Sequence, residues 1–189
     1  MCTGKCTGCI GVILYPLVVI SIICNIMLFF PAWDIKYVKD GHITVEVKYL
    51  GGLLGGGLMV LIPAIYIHMT EVDRCCGNRC GMFLSIPFAA VALLGAMYSF
   101  AVATLALHNG PLCKNETWTT PFNDTNFKYL TKYKSWGDCT EPKNIVLFNT
   151  ILFVILLVTS CFQGLLCTIQ MIIGLIGCVC GVFFNKEEP

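Results

Sequence analysis

From Ile145 to Phe184 the chain runs without an Asp, Glu, Lys or Arg. At about 1.5 Å per residue, a helix of that length exceeds the roughly 30 Å hydrocarbon thickness of a bilayer. Three further runs, residues 10–30, 49–69 and 82–107, share the property. Lipid offers no partner to a backbone N–H or C=O, so runs of this kind cross it as helices. The whole chain agrees: its 189 residues are 57% hydrophobic and 12% charged, and a soluble domain usually carries about twice that charge. The expected fold is an all-α membrane protein, a four-transmembrane-helix bundle.

The chain then divides as follows. Residues 1–9 precede a first span, 10–30. A small loop, 31–48, leads to the second span, 49–69. A tight link, 70–81, joins it to the third, 82–107. A large polar loop, 108–144, leads to the fourth, 145–173. Residues 174–189 form an interfacial extension and a polar tail, because a second crossing would need a turn and polar residues that 145–184 lacks. Run 10–30 is too long for a signal-peptide core, and Phe29-Phe30-Pro31-Ala32-Trp33 is a poor cleavage site, so it reads as a retained span. Met1-Cys2 lacks the glycine of a myristoylation signal, and the tail lacks a prenylation box. Ile43-Thr44-Val45-Glu46-Val47 alternates as a short extended piece would, or lies in an irregular loop.

The 108–144 loop sets the orientation. It carries two glycan acceptor triplets, at Asn115 and Asn123, and two cysteines, Cys113 and Cys139. Glycans are added in the secretory lumen, which is also oxidising. The loop is therefore expected outside, with both acceptors used and a Cys113–Cys139 disulfide stabilising it by about 3–4 kcal/mol in the chain-entropy model. Four spans then leave both termini in the cytosol, with one small and one larger, disulfide-closed extracellular loop. The cations oppose this placement: Lys36, Lys39, Lys48, Lys114, Lys128, Lys132, Lys134 and Lys143 fall outside, and Lys5, Arg74, Arg79 and Lys186 inside. That is the reverse of the usual bias.

Of the 13 cysteines, Cys2, Cys6, Cys9, Cys75, Cys76, Cys80, Cys178 and Cys180 gather at the cytosolic face, at the depth where S-acylation occurs. Cys6-x2-Cys9 with Cys76-x3-Cys80 admits a zinc site, but zinc normally sits in a folded polar subdomain. Free thiols are the third reading. No metal or other cofactor is expected.

Within the spans, Gly51 and Gly55, like Gly52 and Gly56, stand one helical turn apart and let backbones approach closely. Gly95 and Ala96 offer another such point, and Pro63 a kink. Asn25, Gln163 and Gln170 are expected to find hydrogen-bond partners across helices. With no ionisable residue beside them, they read as glue within the bundle rather than as a relay.

A net charge of +1 gives no case for nucleic acid. His42, His68 and His108 are lone residues near span ends, and no catalytic set is legible. Two function classes remain. One is an interaction protein, with helices that meet neighbours through the glycine face and an outer loop that meets partners through Trp118, Phe122, Tyr129, Tyr133 and Trp136. Those aromatics equally suit a small core of the loop itself. The other is a transporter or channel subunit for neutral solutes or lipids.

Several motifs, in chain order, resemble the L-six antigen family of four-span proteins. They are Met1-Cys2-Thr3-Gly4-Lys5-Cys6 with Cys9, Asn25 to Phe30-Pro31, Gly55-Gly56-Gly57-Leu58-Met59, and Cys75-Cys76-Gly77-Asn78-Arg79-Cys80. Asn109-Gly110-Pro111-Leu112-Cys113, Cys139-Thr140-Glu141-Pro142, Gln170 and Gly181 complete the set. The resemblance implies a multi-pass protein of the plasma, endosomal or lysosomal membrane with a glycosylated second outer loop. It also implies lateral partners (integrins, tetraspanins, receptors, or a second copy) and roles in adhesion, motility and proliferation signalling. True tetraspanins carry Cys-Cys-Gly in a large outer loop; here it lies in the small inner one.

Overall fold

The computed structural model describes residues 2–31, 39, 41, 43–72, 79–114, 117–121, 127–130 and 144–184, with side chains left out of account at 2–7, 70–72, 79–82, 128 and 177–184. The elements are α1 (Cys2–Phe29), α2 (Val45–Lys48), a π-helical segment (Gly51–Leu58), α3 (Met59–Val72), α4 (Arg79–Asn109), β1 (Cys113–Lys114), β2 (Trp118–Thr119), a 3-10 turn (Lys128–Leu130) and α5 (Ile145–Phe184). Among the described residues, four helical stretches are long and apolar enough to cross a membrane: Gly8–Phe29, Val45–Met69, Phe83–Asn109 and Ile145–Ile176. Extensive contacts run from α1 to α3, α3 to α4, α4 to α5 and α5 back to α1, so the helices follow chain order around a square.

The inward faces show why these helices pack. On α4 the buried stripe is Ser85, Ala89, Ala92, Ala96, Ser99, Ala103 and Ala106, alternating steps of four and three. Every member is small, so neighbouring backbones come close, and dispersion across the seam replaces the hydrophobic drive that lipid does not supply. The matching stripe of α5 is larger: Asn149, Leu152, Leu156, Thr159, Gln163, Cys167 and Gln170. Both repeats average 3.5 residues, the period of a left-handed supercoil. The opposite faces carry Ile62, Leu94, Met97, Phe162, Leu165 and their like, exposed apolar side chains suited to lipid.

Two apolar clusters fill the bundle. Leu14, Val18, Val60, Ala64, Ala92 and Cys167 lie toward the chain termini. Cys24, Leu28, Val47, Ala103, Leu107, Phe153 and Leu156 lie toward the loops. A third, Cys113, Tyr129, Ile145 and Val146, ties the large loop to the start of α5.

The second span departs from the sequence reading. Residues 43–47 are not extended: Val45–Lys48 forms a helical turn, with Tyr49 N–H bonded to the Glu46 carbonyl. Among the described residues this segment meets no strand to pair with, and a turn closes its own backbone bonds, which overrides the β-propensity of Val and Thr. Leu50 then takes a left-handed conformation (φ 53°) before the glycines wind into the wider π form. Pro63 sits within α3, and Pro16 and Pro87 within α1 and α4. At the other end of the chain α5 continues as one helix to Phe184, so the segment after residue 173 extends the same rod.

Candidate functional site

Between the two apolar clusters the bundle has a polar waist, built around the π-helical segment. Its five glycines, Gly51, Gly52, Gly55, Gly56 and Gly57, are all buried. They face three different helices. A Cβ on Gly55 would stand 2.6 Å from the Gly95 carbonyl oxygen of α4, and one on Gly51 2.8 Å from Val102 Cβ. A Cβ on Gly52 would lie 2.7 Å from both the Ser21 carbonyl oxygen of α1 and Leu156 Cδ2 of α5. One on Gly57 would lie 2.8 Å from Ile22 Cγ1. The widened turn spreads the bare backbone over more than one face, so the segment is an internal hub. The glycine face anticipated as a surface for neighbouring proteins is thus spent inside the bundle.

Around this hub lie hydroxyls and amides from α1, α4 and α5. Ser160 Oγ donates to Ser99 Oγ at 2.8 Å, joining α5 to α4. Ser21 Oγ faces Thr159 Oγ1 at 3.4 Å, joining α1 to α5. Gln163 Nε2 donates to the Gly56 carbonyl at 2.8 Å. Gln163 thus finds the cross-helix partner expected of it, through its amide nitrogen. Asn25 Oδ1, Gln163 Oε1 and Gln170 Oε1 are buried acceptors without one, although their residues are 2%, 0% and 1% exposed. Gln163 spends its donors on the glycine turn, and the surrounding helical backbone has already used its own N–H groups, leaving carbonyl oxygens unmatched.

A second polar assembly caps the loop end. Asn109 Nδ2 donates to Glu46 Oε1 at 2.6 Å, and Glu46 is buried. His108 Nδ1 lies 3.2 Å from Asn109 Oδ1, and its ring meets Phe127 edge-on at 5.3 Å. Leu112 N–H donates to Thr44 Oγ1 at 3.3 Å. Tyr129 donates its hydroxyl to the Leu107 carbonyl at 2.7 Å, and burial pushes its phenol from the ordinary 10.0 up to about 12. Tyr129 is therefore part of the cap's own core, and Trp118 is half-buried on β2, which pairs antiparallel with β1. Beneath the cap a narrow crevice is lined by Leu28, Pro31, Ile43, Thr44, Leu112 and Asn149, among others. The small loop and the large one are thus clamped to each other and to the end of α4.

Of the remaining predicted sites, Cys113 is buried and disulfide-bonded. Cys139, Asn115, Asn123, Cys75 and Cys76 lie outside the described residues, as do His42, Phe122, Tyr133 and Trp136. Among the acylation candidates only Cys9 has a described side chain, and it is exposed; Cys2, Cys6, Cys80, Cys178 and Cys180 lie in helices whose side chains are not described there. His68 pairs with the Tyr15 hydroxyl at 3.3 Å rather than standing alone. The sequence reading missed Ser21, Ser99, Thr159 and Ser160. Their signal was the 3–4 spacing that places Ser21 with Val18 and Asn25, Ser99 with Ala96, and Thr159 and Ser160 with Gln163.

A family model described as L6 membrane protein matches residues 1–184. The chain is 43% identical to Transmembrane 4 L6 family member 4 of Rattus norvegicus, over 96% of this chain and 93% of the relative. It is 40% identical to Homo sapiens family member 1 and 37% identical to Homo sapiens family member 5, in both cases over 100% of this chain and 98% of the relative. No solved structure matches.

Proposed function

Since this chain is a member of the L6 membrane protein family, we propose that it is a non-catalytic, tetraspanin-like organiser that binds laterally to integrins, tetraspanins or receptors and tunes adhesion, motility and proliferation signalling. The observation that carries this reading is the distribution of polarity. Ser21, Asn25, Ser99, Thr159, Ser160 and Gln163 are buried at the waist, while the lateral surface of the four spans is mostly apolar. What such a bundle offers its surroundings is a lipid-compatible flank and the capped loop end. Apolar flanks favour partners that are themselves in the membrane.

In this reading both termini are cytosolic, the protein lies in the plasma or endosomal membrane, Asn115 and Asn123 carry glycans, and Cys113 pairs with Cys139. Acylation of the cytosolic-face cysteines adjusts lateral association, and a second copy is among the partners. Deglycosylation is expected to shift the gel mobility, and Asn115→Gln with Asn123→Gln to abolish that shift. Proximity labelling from each terminus, with a tetraspanin as comparator, tests the partners. Integrins, receptors or tetraspanins are expected among the hits, and recovery of soluble metabolic enzymes alone refutes the organiser. The unmatched amides of the waist favour one other reading, passage of a neutral solute or lipid. Solute-specific uptake by vesicles reconstituted with the purified protein would select that reading instead.

A further inference from the structure

Three features of the waist converge on one spot. The first is close approach. A Cβ on Gly56 would sit 3.0 Å from Ser21 Oγ, 3.1 Å from Ser21 Cβ and 3.2 Å from Gln163 Oε1, so the bare glycine is a cradle on which oxygens from α1 and α5 converge. The second is unmet acceptor capacity. Gln163 Oε1 is buried without a donor, as is Asn25 Oδ1 one turn along α1 from Ser21. The third is the pairing of Ser21 Oγ with Thr159 Oγ1. At 3.4 Å it is long for an O–H···O bond, which centres near 2.7–2.8 Å. Two oxygens bound at right angles to one ion through bonds of about 2.4 Å, the calcium range and a radius that sodium shares, stand about 3.4 Å apart.

We propose that the waist is a binding site for a monovalent alkali cation of sodium size, held by Gln163 Oε1, Ser21 Oγ and Thr159 Oγ1 against the Gly56 cradle, with Asn25 Oδ1 as the adjoining acceptor. The donor set selects the class. All four groups are neutral hard oxygens, which suit an alkali or alkaline-earth ion rather than a thiolate-seeking metal. Calcium and magnesium are held in proteins chiefly through carboxylates. The four spans hold no Asp or Glu over residues 10–30, 49–69, 82–107 and 145–184. A single charge costs far less to bring into a low-dielectric interior than a double one, and converging neutral oxygens offset part of that cost. The glycine turn belongs to the same device, because helical backbone that departs from the α form within a membrane protein recurs where ions are bound.

The test uses the full chain in nanodiscs of uncharged lipid, with thermal unfolding followed in sodium, potassium or choline chloride at equal ionic strength. An ion that binds the folded state raises the midpoint saturably, by about 2–4 °C once it stands at roughly four times its dissociation constant. The rise is expected in sodium, weaker in potassium and absent in choline. It is expected to vanish in Gln163→Leu and in Gly56→Ala, which fills the cradle, and to persist in Ser99→Ala, which breaks a hydrogen bond at the same waist but away from the cradle. Equal wild-type midpoints in the three salts overturn the proposal even if every variant fails to fold, and assign the unmatched acceptors to water. A sodium response retained in both Gln163→Leu and Gly56→Ala overturns it equally.

Discussion

Replacing Gly55 by alanine adds one methyl group and is expected to force two helices apart. The new Cβ would lie 2.6 Å from the Gly95 carbonyl oxygen and 3.0 Å from Ser99 N. Ordinary C···O approaches between helices begin near 3.3 Å, so about 0.7 Å must open. The obstacles are backbone atoms, which no rotamer change removes. A radial gap of about 0.5–1 Å forfeits a quarter to a half of the dispersion energy across the affected contacts. Overpacking of this kind costs about 1–3 kcal/mol, against the roughly 1 kcal/mol that Ala gains over Gly in a helix. Gly164→Ala is the internal control. Its Cβ would meet Leu93 Cδ1 at 3.7 Å and Ala96 Cβ at 3.9 Å, ordinary contacts, so only the propensity gain remains. Reversible unfolding in detergent, titrated with a denaturing detergent, reads both. Gly55→Ala is expected to destabilise by up to about 2 kcal/mol and Gly164→Ala to stabilise by up to about 1 kcal/mol. Equal effects of the two substitutions, or a Gly55→Ala that stabilises, would refute the close approach at Gly95.

Asn109→Leu removes the donor from buried Glu46, and hydrogen bonds to charged groups contribute about 1.5–3 kcal/mol. Hydrogen exchange at Val45–Lys48 is expected to accelerate while exchange in α1 stays unchanged. The Ser99–Ser160 bond is expected to show a coupling of about 0.6 kcal/mol, and no more than about 1.7 kcal/mol, in a double-mutant cycle with Ala at each position. For Tyr129 the folded phenol holds its proton to about pH 12, whereas the unfolded one releases it near 10.0. The unfolded state then binds fewer protons over that window, so stability is flat below pH 10 and falls as pH rises to 12. Phenolate absorbance should show a late-titrating component that is lost in Tyr129→Phe.

Much of the architecture was legible because a bilayer leaves so little choice. Runs without charge over residues 10–30, 49–69, 82–107 and 145–184 had to become helices, and Gln163 and Gln170, seven apart, had to share a face. Residues 43–47 misled because alternation alone cannot reveal whether a second strand is present to pair with. The glycines were seen as a close-contact motif, but spacing counted in fours assumes an α-helix. The π turn redistributes them over several faces, and so they serve the interior. The alanine and serine stripe of α4 escaped notice because small residues carry little hydropathy contrast, although the step of three and four was there to be counted. Ser21 and Thr159 are individually ordinary in a span; only their convergence on a bare glycine makes a site, and that convergence is tertiary.

The account stands on a bundle that crosses the bilayer four times and presents its capped loop end to the outside. Epitope tags at each terminus and within the 108–144 loop, stained in intact and then in permeabilised cells, test it directly. The loop tag is predicted to stain in intact cells, and both terminal tags only after permeabilisation. Terminal tags that stain in intact cells, or a loop tag that needs permeabilisation, would contradict it.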